Sequence, residues 1–178
     1  MMTTGASVSN PRSRVKWDAF LSFQRDTSHN FTDRLYEALV KKELRVWNDD
    51  LERGDNDELR PSLVEAIEDS VAFVVVLSPN YANSHLRLEE LAKLCHLRSS
   101  LELLVFPIFY EVQPWEVRTH NGPFEKDFEE HSKRFGEEKI QRWKGAMALV
   151  GNLSGLIYGL WYQVGVARSG YSGSWWYS

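Results

Sequence analysis

The fold of this chain is decided between Val71 and Tyr110. The sequence there reads Ala72-Phe73-Val74-Val75-Val76-Leu77, then a helix-length segment, then Leu103-Leu104-Val105-Phe106-Pro107-Ile108-Phe109. Continuous apolar runs of this length are typical of strands buried on both faces of a parallel sheet, and the segment between them is long enough for a crossover helix. Ligands of open parallel sheets bind outside the carboxyl ends of the strands. We therefore expect chemistry in residues 78–90, which follow the first run.

Length and composition indicate one globular domain. The chain has 178 residues, of which 43% are hydrophobic and 26% charged, enough for a full core but too few for two comfortable domains. The net charge of −4 and the pI near 5.8 argue against a nucleic-acid surface, because phosphate binding depends on clustered Lys and Arg.

Cysteine usage and the N-terminal sequence bear on the cellular compartment. Cys95 is the single cysteine, which excludes an internal disulfide framework and any multi-cysteine zinc pattern. Residues 1–11 are polar and small and contain no apolar core of a signal peptide. We expect a protein of a reducing compartment, cytoplasmic or nucleo-cytoplasmic, with no membrane segment and no metal site.

The order of strands and helices predicts the fold class. Asn30, Pro61 and Gly136 mark helix boundaries. Each apolar run is followed by a helical pattern, which predicts an α/β domain of the flavodoxin-like, doubly wound type, a parallel sheet with helices on both faces. The predicted strands are Trp17–Phe23, Leu44–Trp47, Ala72–Leu77 and Leu103–Phe109, and the predicted helices are those starting at Phe31 and Pro61, Ser84–Arg98, and two charged stretches within residues 124–150.

The two ends of the chain differ in composition from the centre. Residues 1–14 are predicted to be a disordered arm. The domain proper is predicted to cover residues 15–158. Residues 159–178 form an atypical apolar and aromatic tail, in which Arg168 is the single charged side chain and which is too interrupted by Gly, Ser and Gln to span a membrane.

Helical periodicity separates the side chains of the Ser84–Arg98 helix. Leu88, Leu91, Ala92 and Cys95 fall on one stripe, which predicts the side facing the sheet. Glu90 falls nearly opposite, on a side away from the core between Leu86 and Leu94. Periodicity by itself favours an ordinary surface glutamate there, whereas the apolar neighbours would desolvate the carboxylate once a ligand or a second subunit covered them.

Four landmarks in order give the chain a family resemblance. They are Asp18-Ala19-Phe20-Leu21-Ser22-Phe23 with Asn30-Phe31-Thr32-Asp33; Trp47-Asn48-Asp49-Asp50 with Arg53-Gly54; Ser78-Pro79-Asn80-Tyr81 with Leu88-Glu89-Glu90-Leu91; and Phe106-Pro107-Ile108-Phe109-Tyr110 with Val117-Arg118. With these landmarks the chain resembles, over about Lys16 to Tyr158, a Toll/interleukin-1 receptor (TIR) domain, in particular the plant group.

The resemblance implies an enzyme of innate immune and defence signalling. Many TIR domains of this group cleave NAD+ between nicotinamide and ribose when they assemble, giving ADP-ribose or cyclic ADP-ribose-type products. The glutamate that matches Glu90 is catalytic in that family, and a carboxylate suits an oxocarbenium-like transition state. The resemblance implies NAD+ or NADP+ as substrate, no further cofactor, and self-association or association with other TIR domains. The chain carries no recognisable nucleotide-binding or leucine-rich-repeat region, so a TIR-only protein is expected.

The resemblance also implies a substrate-binding set, in which two departures from the family pattern occur. Gln24-Arg25 stands where the family has Arg-Gly, so close backbone approach to a phosphate is less favoured, although Arg25 can supply charge. Leu86-Arg87 replaces the usual Trp-Cys, and losing the flat aromatic wall would cost about 1 kcal/mol, or about fivefold to tenfold in binding. The implied substrate-binding residues are Gln24, Arg25, Asp49, Arg53, Ser84 and Leu86.

Two other functions compete with the enzyme. A non-catalytic TIR–TIR interaction module in defence signalling would agree with both departures and with the atypical C-terminal tail. A phosphoacceptor receiver shares the wound sheet but needs a carboxylate where the third strand ends, and that strand ends Val76-Leu77-Ser78.

Overall fold

The computed structural model describes residues 15–27, 31–48 and 58–159. These residues form a five-stranded sheet. The strands are β1 (Trp17–Ser22), β2 (Val46–Asn48), β3 (Ser70–Leu77), β4 (Leu104–Tyr110) and β5 (Leu156–Tyr158). Every neighbouring pair is parallel and the spatial order is β2-β1-β3-β4-β5. This is the flavodoxin-like order, so the predicted fold class is confirmed.

Helices cover both faces of the sheet because side chains alternate along the strands. Phe20 of β1 belongs to one buried cluster, with side chains of α2, α3 and α6, while Leu21 belongs to a second cluster, against which Leu35 and Leu39 of α1 pack. The helices are α1 (Asp33–Lys41), α2 (Pro61–Glu68), α3 (His85–Leu101), α4 (Pro114–Thr119), α5 (Pro123–Arg134) and α6 (Glu137–Gly151), with short 3₁₀ helices at Arg25–Thr27 and Tyr81–Asn83.

Two elements are absent from the sequence prediction. Pro114 lies in the first turn of α4, where the Glu116 carboxylate accepts a hydrogen bond from the Gln113 backbone N–H at 2.7 Å. Strand β5 pairs with β4 through Leu156 opposite Ile108. Three residues are too few to display a period, so only the pairing partner identifies this strand.

The remaining element bounds agree with the prediction to within a few residues. β3 starts at Ser70, before the predicted Ala72, and α3 continues to Leu101, past the predicted Arg98. The predicted helix cap Asn30, the loop around residues 49–57, the arm at 1–14 and the tail from 160 onward lie outside the described residues.

Candidate functional site

The carboxyl ends of β1 and β3 meet at a buried polar contact. Ser22, the last residue of β1, makes a 2.9 Å hydrogen bond with the hydroxyl of Tyr81, which follows β3. Both side chains are buried. The Tyr81 hydroxyl also lies 3.5 Å from the backbone carbonyl oxygen of Arg87, in the first turn of α3. Tyr81 therefore connects the end of β1 with the start of α3.

Asp26 fastens the loop after β1 to the loop after β3. The Ser78 hydroxyl donates to Oδ1 of Asp26 at 3.0 Å, and the Asn80 side-chain amide donates to Oδ2 at 3.0 Å. Both oxygens of one carboxylate are thus used in positioning two loops. This is the edge of the sheet at which the sequence predicts chemistry.

Glu90 of α3 lies buried behind this edge. Its side chain is 1% exposed and Oε2 accepts a hydrogen bond from Nη1 of Arg87 at 2.8 Å. Arg87 is itself 2% exposed, and its guanidinium carbon lies 5.6 Å from the centre of the Phe23 ring, just after β1. The site therefore contains a carboxylate and a guanidinium, both removed from water.

The burial of Glu90 corrects the prediction that it lies on a side away from the core. The helical wheel assumes that α3 has one narrow buried stripe, but Arg87, Glu90 and Leu94 are buried in addition to that stripe. Of the predicted stripe, Leu88, Leu91 and Ala92 are buried as expected, while the Cys95 thiol is directed to α6, 3.8 Å from the Ala146 carbonyl oxygen.

Glu89, the neighbouring carboxylate, belongs to a different environment. Nη2 of Arg142 on α6 lies 2.8 and 2.7 Å from its two oxygens, and Nζ of Lys139 lies 3.2 Å away. Arg142 is half exposed, so this contact lies at the surface. Glu89 links α3 to α6, so of the two adjacent glutamates only Glu90 is associated with the sheet edge.

Burial changes the acid–base behaviour of two groups in this region. Burial, together with the negative charge of Glu90, raises the pKa of the Tyr81 phenol far above its ordinary value. Tyr81 therefore stays protonated and continues to bridge Ser22 and α3. Burial also raises the pKa of the Cys95 thiol to about 11, so this cysteine is a poor nucleophile at neutral pH.

The structure brings together part of the predicted substrate-binding set. Ser84 caps α3, its hydroxyl oxygen accepting from the Arg87 backbone N–H at 3.4 Å, and Leu86 lies half-buried one turn before Glu90. Gln24 is half-buried and Arg25 is exposed in the loop after β1. All four lie in the segments that leave β1 and β3. Asp49 and Arg53 lie outside the described residues.

The sequence analysis did not identify three residues that make contacts in the site. These are Asp26, Tyr81 and Arg87, whose charge pairs with Glu90. The Arg87 pairing had a signal, because an Arg and a Glu three residues apart on a helix are neighbours on its surface. Asp26 and Tyr81 had none, since their partners are 52 and 59 residues away in the chain.

The sequence of this chain is similar to that of known proteins. Residues 16–163 match the family model described as the TIR domain. The chain belongs to the TIR family. This TIR domain is 41% identical over 155 residues to the disease resistance protein RPV1 of Vitis rotundifolia, covering 86% of the chain and 11% of RPV1. It is 39% identical over 150 residues to the TMV resistance protein N of Nicotiana glutinosa, covering 83% of the chain and 13% of N.

A solved structure gives the same result. The TIR domains in the structure of the activated Roq1 resistosome, which directly recognises the pathogen effector XopQ, superimpose on this TIR domain with a TM-score of 0.71 at 37% identity. The match covers 78% of this chain and 86% of the other. The curated relatives are far longer proteins, since this TIR domain spans only 11% of RPV1 and 13% of N.

Among residues 15–27, 31–48 and 58–159, no helix is long and apolar enough to cross a membrane. The same residues contain no group of three or more His, Cys, Asp or Glu side chains that could hold a metal ion.

Proposed function

We propose that this TIR domain is an assembly-dependent NAD+ nucleosidase of plant defence signalling, with Glu90 as its catalytic residue. The observation that carries the proposal is a buried carboxylate on α3, directly behind the carboxyl ends of β1 and β3. Open parallel sheets bind ligands at that edge. The identity to plant disease resistance proteins supports the defence context.

The reaction breaks the bond between the nicotinamide nitrogen and ribose C1′. Nicotinamide leaves with the bonding electron pair and becomes neutral, and positive charge develops on the ribose ring as an oxocarbenium-like state. The Glu90 carboxylate accepts hydrogen bonds from the ribose hydroxyls and stabilises this charge, an effect that is strong where water is excluded. Water then adds at C1′ and loses a proton, giving ADP-ribose. Attack by a nitrogen of the adenine ring on C1′ would give a cyclic product instead.

The remaining predicted residues take supporting roles in this proposal. Ser84 and Leu86 border the nicotinamide ribose, while Arg25 and Arg53 offer positive charge to the diphosphate and Gln24 and Asp49 offer polar contacts. Leu86 has no aromatic ring for stacking, so binding weaker than in a domain with Trp at that position is expected.

The test compares two glutamates that differ by one position. Purified chain, Glu90→Gln and the matched control Glu89→Gln are incubated with NAD+, and nicotinamide release is followed by chromatography. Glu90→Gln keeps an acceptor for Arg87 but lacks the charge, so turnover should fall at least about a hundredfold, on the scale of losing one electrostatic stabiliser. Glu89→Gln should retain at least half of the activity. Equal activity in Glu90→Gln and the parent chain would remove Glu90 from the mechanism.

A non-catalytic interaction module is the second candidate. The contact that favours it is the Arg87–Glu90 ion pair, because a guanidinium at 2.8 Å opposes the negative charge that the reaction would use. In that case the chain binds other TIR domains, with the Roq1 resistosome TIR domains as the solved example of an assembly. Concentrated chain that associates with TIR partners and leaves NAD+ intact would establish the module.

A further inference from the structure

Arg87 is held in place by three different parts of the TIR domain. Its guanidinium donates to Oε2 of Glu90 at 2.8 Å and stacks on Phe23, with 5.6 Å between the guanidinium carbon and the ring centre. Its backbone carbonyl oxygen lies 3.5 Å from the Tyr81 hydroxyl. The two side-chain contacts, to Glu90 and to Phe23, hold the guanidinium in one position, so its rotamer entropy has already been lost.

The hydrogen bond from Arg87 occupies Oε2 of Glu90, a carboxylate oxygen that the substrate ribose needs as an acceptor. A ribose hydroxyl that binds Glu90 must donate to a carboxylate oxygen, and one of the two oxygens already accepts from Arg87. The guanidinium also places a full positive charge beside the carboxylate, which weakens its attraction for a developing cation. The first effect weakens binding of the substrate ribose to Glu90, and the second weakens stabilisation of the transition state.

On the basis of the proposed NAD+ cleavage, we propose that Arg87 is a positioning residue that acts through Glu90 as an internal competitor of the substrate ribose. The ion pair holds the Glu90 carboxylate in position but masks it from the substrate. NAD+ binds productively only when a ribose hydroxyl replaces the guanidinium at Oε2, so the strength of the Arg87–Glu90 pair sets how readily this chain turns over NAD+.

The other basic side chains near α3 do not take this role. Arg142 and Lys139 of α6 pair with Glu89, on another side of the helix. Arg25 is exposed in the loop after β1. Arg87, by contrast, donates a hydrogen bond to Glu90 and lies three residues earlier on the same helix.

The experiment compares two replacements of Arg87 in the full chain. Arg87→Gln retains a side-chain N–H donor but has no charge, whereas Arg87→Lys retains the charge and serves as the matched control. We expect Arg87→Gln to bind NAD+ about tenfold more tightly than Arg87→Lys by isothermal titration calorimetry, and its kcat/KM for NAD+ cleavage to be about tenfold higher. Arg87→Lys should bind NAD+ no more tightly than the parent chain, because the positive charge beside Glu90 remains.

A merely structural Arg87 would reverse this order. Arg87→Lys would then keep the parent activity and Arg87→Gln would lose it, which would overturn the inference. Failure of the proposed reaction gives a different result, since tighter NAD+ binding by Arg87→Gln with no nicotinamide release in any variant would support the competition and reject the hydrolase. Equal NAD+ binding by both variants would reject the competition, even where Glu90→Gln confirms the reaction.

A second measurement does not depend on Arg87→Gln being folded. The guanidinium NMR signal of Arg87 in the parent chain, assigned by its loss in Arg87→Lys, is followed during titration with NAD+. Displacement from Oε2 predicts a change in chemical shift and faster exchange of its N–H protons with water as NAD+ saturates the site. An unchanged signal at saturation would overturn the inference.

Discussion

At the residue scale, adjacent glutamates on α3 have opposite environments. The Glu90 side chain is 1% exposed and pairs with an equally buried Arg87, while Glu89 is 14% exposed and pairs with Arg142, which is 52% exposed. A buried pair is expensive to break, because the remaining charge stays in a medium of low polarity. An exposed pair contributes little, because water and salt screen it.

Removing either carboxylate should therefore have unequal effects on stability. We expect Glu90→Ala to lower the free energy of unfolding by about 3–5 kcal/mol, because it leaves the Arg87 charge buried without its carboxylate partner. The measurement is urea denaturation followed by circular dichroism at neutral pH.

Glu89→Ala is the matched control. It should lower the free energy of unfolding by at most about 1 kcal/mol, the range of surface ion pairs. Equal losses in the two variants would mean that the Arg87–Glu90 pair is not buried in solution.

At the element scale, β1 and β2 are tied together by a surface ion pair. Oδ2 of Asp18 accepts from the Arg45 backbone N–H at 2.8 Å and from its side chain at 3.0 Å. These hydrogen bonds lower the pKa of Asp18 from 3.8 to about 2. Since the carboxylate is charged in the folded state at lower pH than in the unfolded state, it stabilises the fold above pH 3.8 and this contribution disappears as the pH falls towards 2.

Asp18→Asn should reveal this contribution as a pH-dependent difference. The parent chain should be more stable than Asp18→Asn at pH 5 to 7 by a constant amount, and the difference should shrink between about pH 4 and pH 2. Urea midpoints of the two proteins, measured at each pH, give the comparison. A difference that persists unchanged at the lowest pH would show that the charge of Asp18 is not the cause.

Two glycines of α6 provide a second comparison of elements. A Cβ added to Gly151 would lie 2.7 Å from the backbone nitrogen and 2.9 Å from Cα of Arg118 in α4, whereas a Cβ on Gly145 would meet nothing within 4 Å. The close approach of α6 to α4 thus depends on the absence of a side chain at Gly151.

Alanine at these positions should change stability in opposite directions. Gly151→Ala should lower the free energy of unfolding by about 1–3 kcal/mol through overpacking against α4. Gly145→Ala should raise it by about 0.5–1 kcal/mol, since alanine loses less backbone entropy in a helix. Urea denaturation of both variants tests the pair, and stabilisation by Gly151→Ala would contradict the close packing.

At the scale of the whole molecule, one face of the sheet is covered less fully by the described residues than the other. Leu104 and Phe106 of β4 are 54% and 52% exposed, whereas the face towards α2, α3 and α6 carries the larger buried cluster. Exposed apolar side chains that share one face of a strand, two residues apart, are a feature of surfaces that associate. The proposed activity likewise depends on assembly.

Assembly dependence predicts a rate that rises faster than protein concentration. NAD+ consumption per molecule should increase at least about fivefold when the chain is concentrated a hundredfold, because a larger fraction is then associated. Light scattering on the same samples supplies the oligomeric state. A constant rate per molecule over that range, with scattering that reports monomers throughout, would contradict assembly as the requirement.

Most of the architecture and the position of the candidate site along the chain follow from local sequence patterns. Strands β3 and β4 were predicted because continuous apolar runs bounded by turn residues are local signals, and the parallel arrangement followed because a helix-length segment joins them. The order of the landmarks was enough to place Glu89 and Glu90 on one helix after the third strand and to give the family resemblance.

The tertiary structure decided what surrounds those residues. Periodicity placed Glu90 on an outer side of α3, but which sides of a helix are buried depends on the elements that pack around it, and those contacts come from distant parts of the chain. The same reason explains why Asp26, Tyr81, α4 and β5 escaped prediction. The proposed masking of Glu90 by Arg87 depends on both sequence and tertiary structure. The i, i+3 spacing in the sequence allows the ion pair, and burial in the folded domain makes it strong.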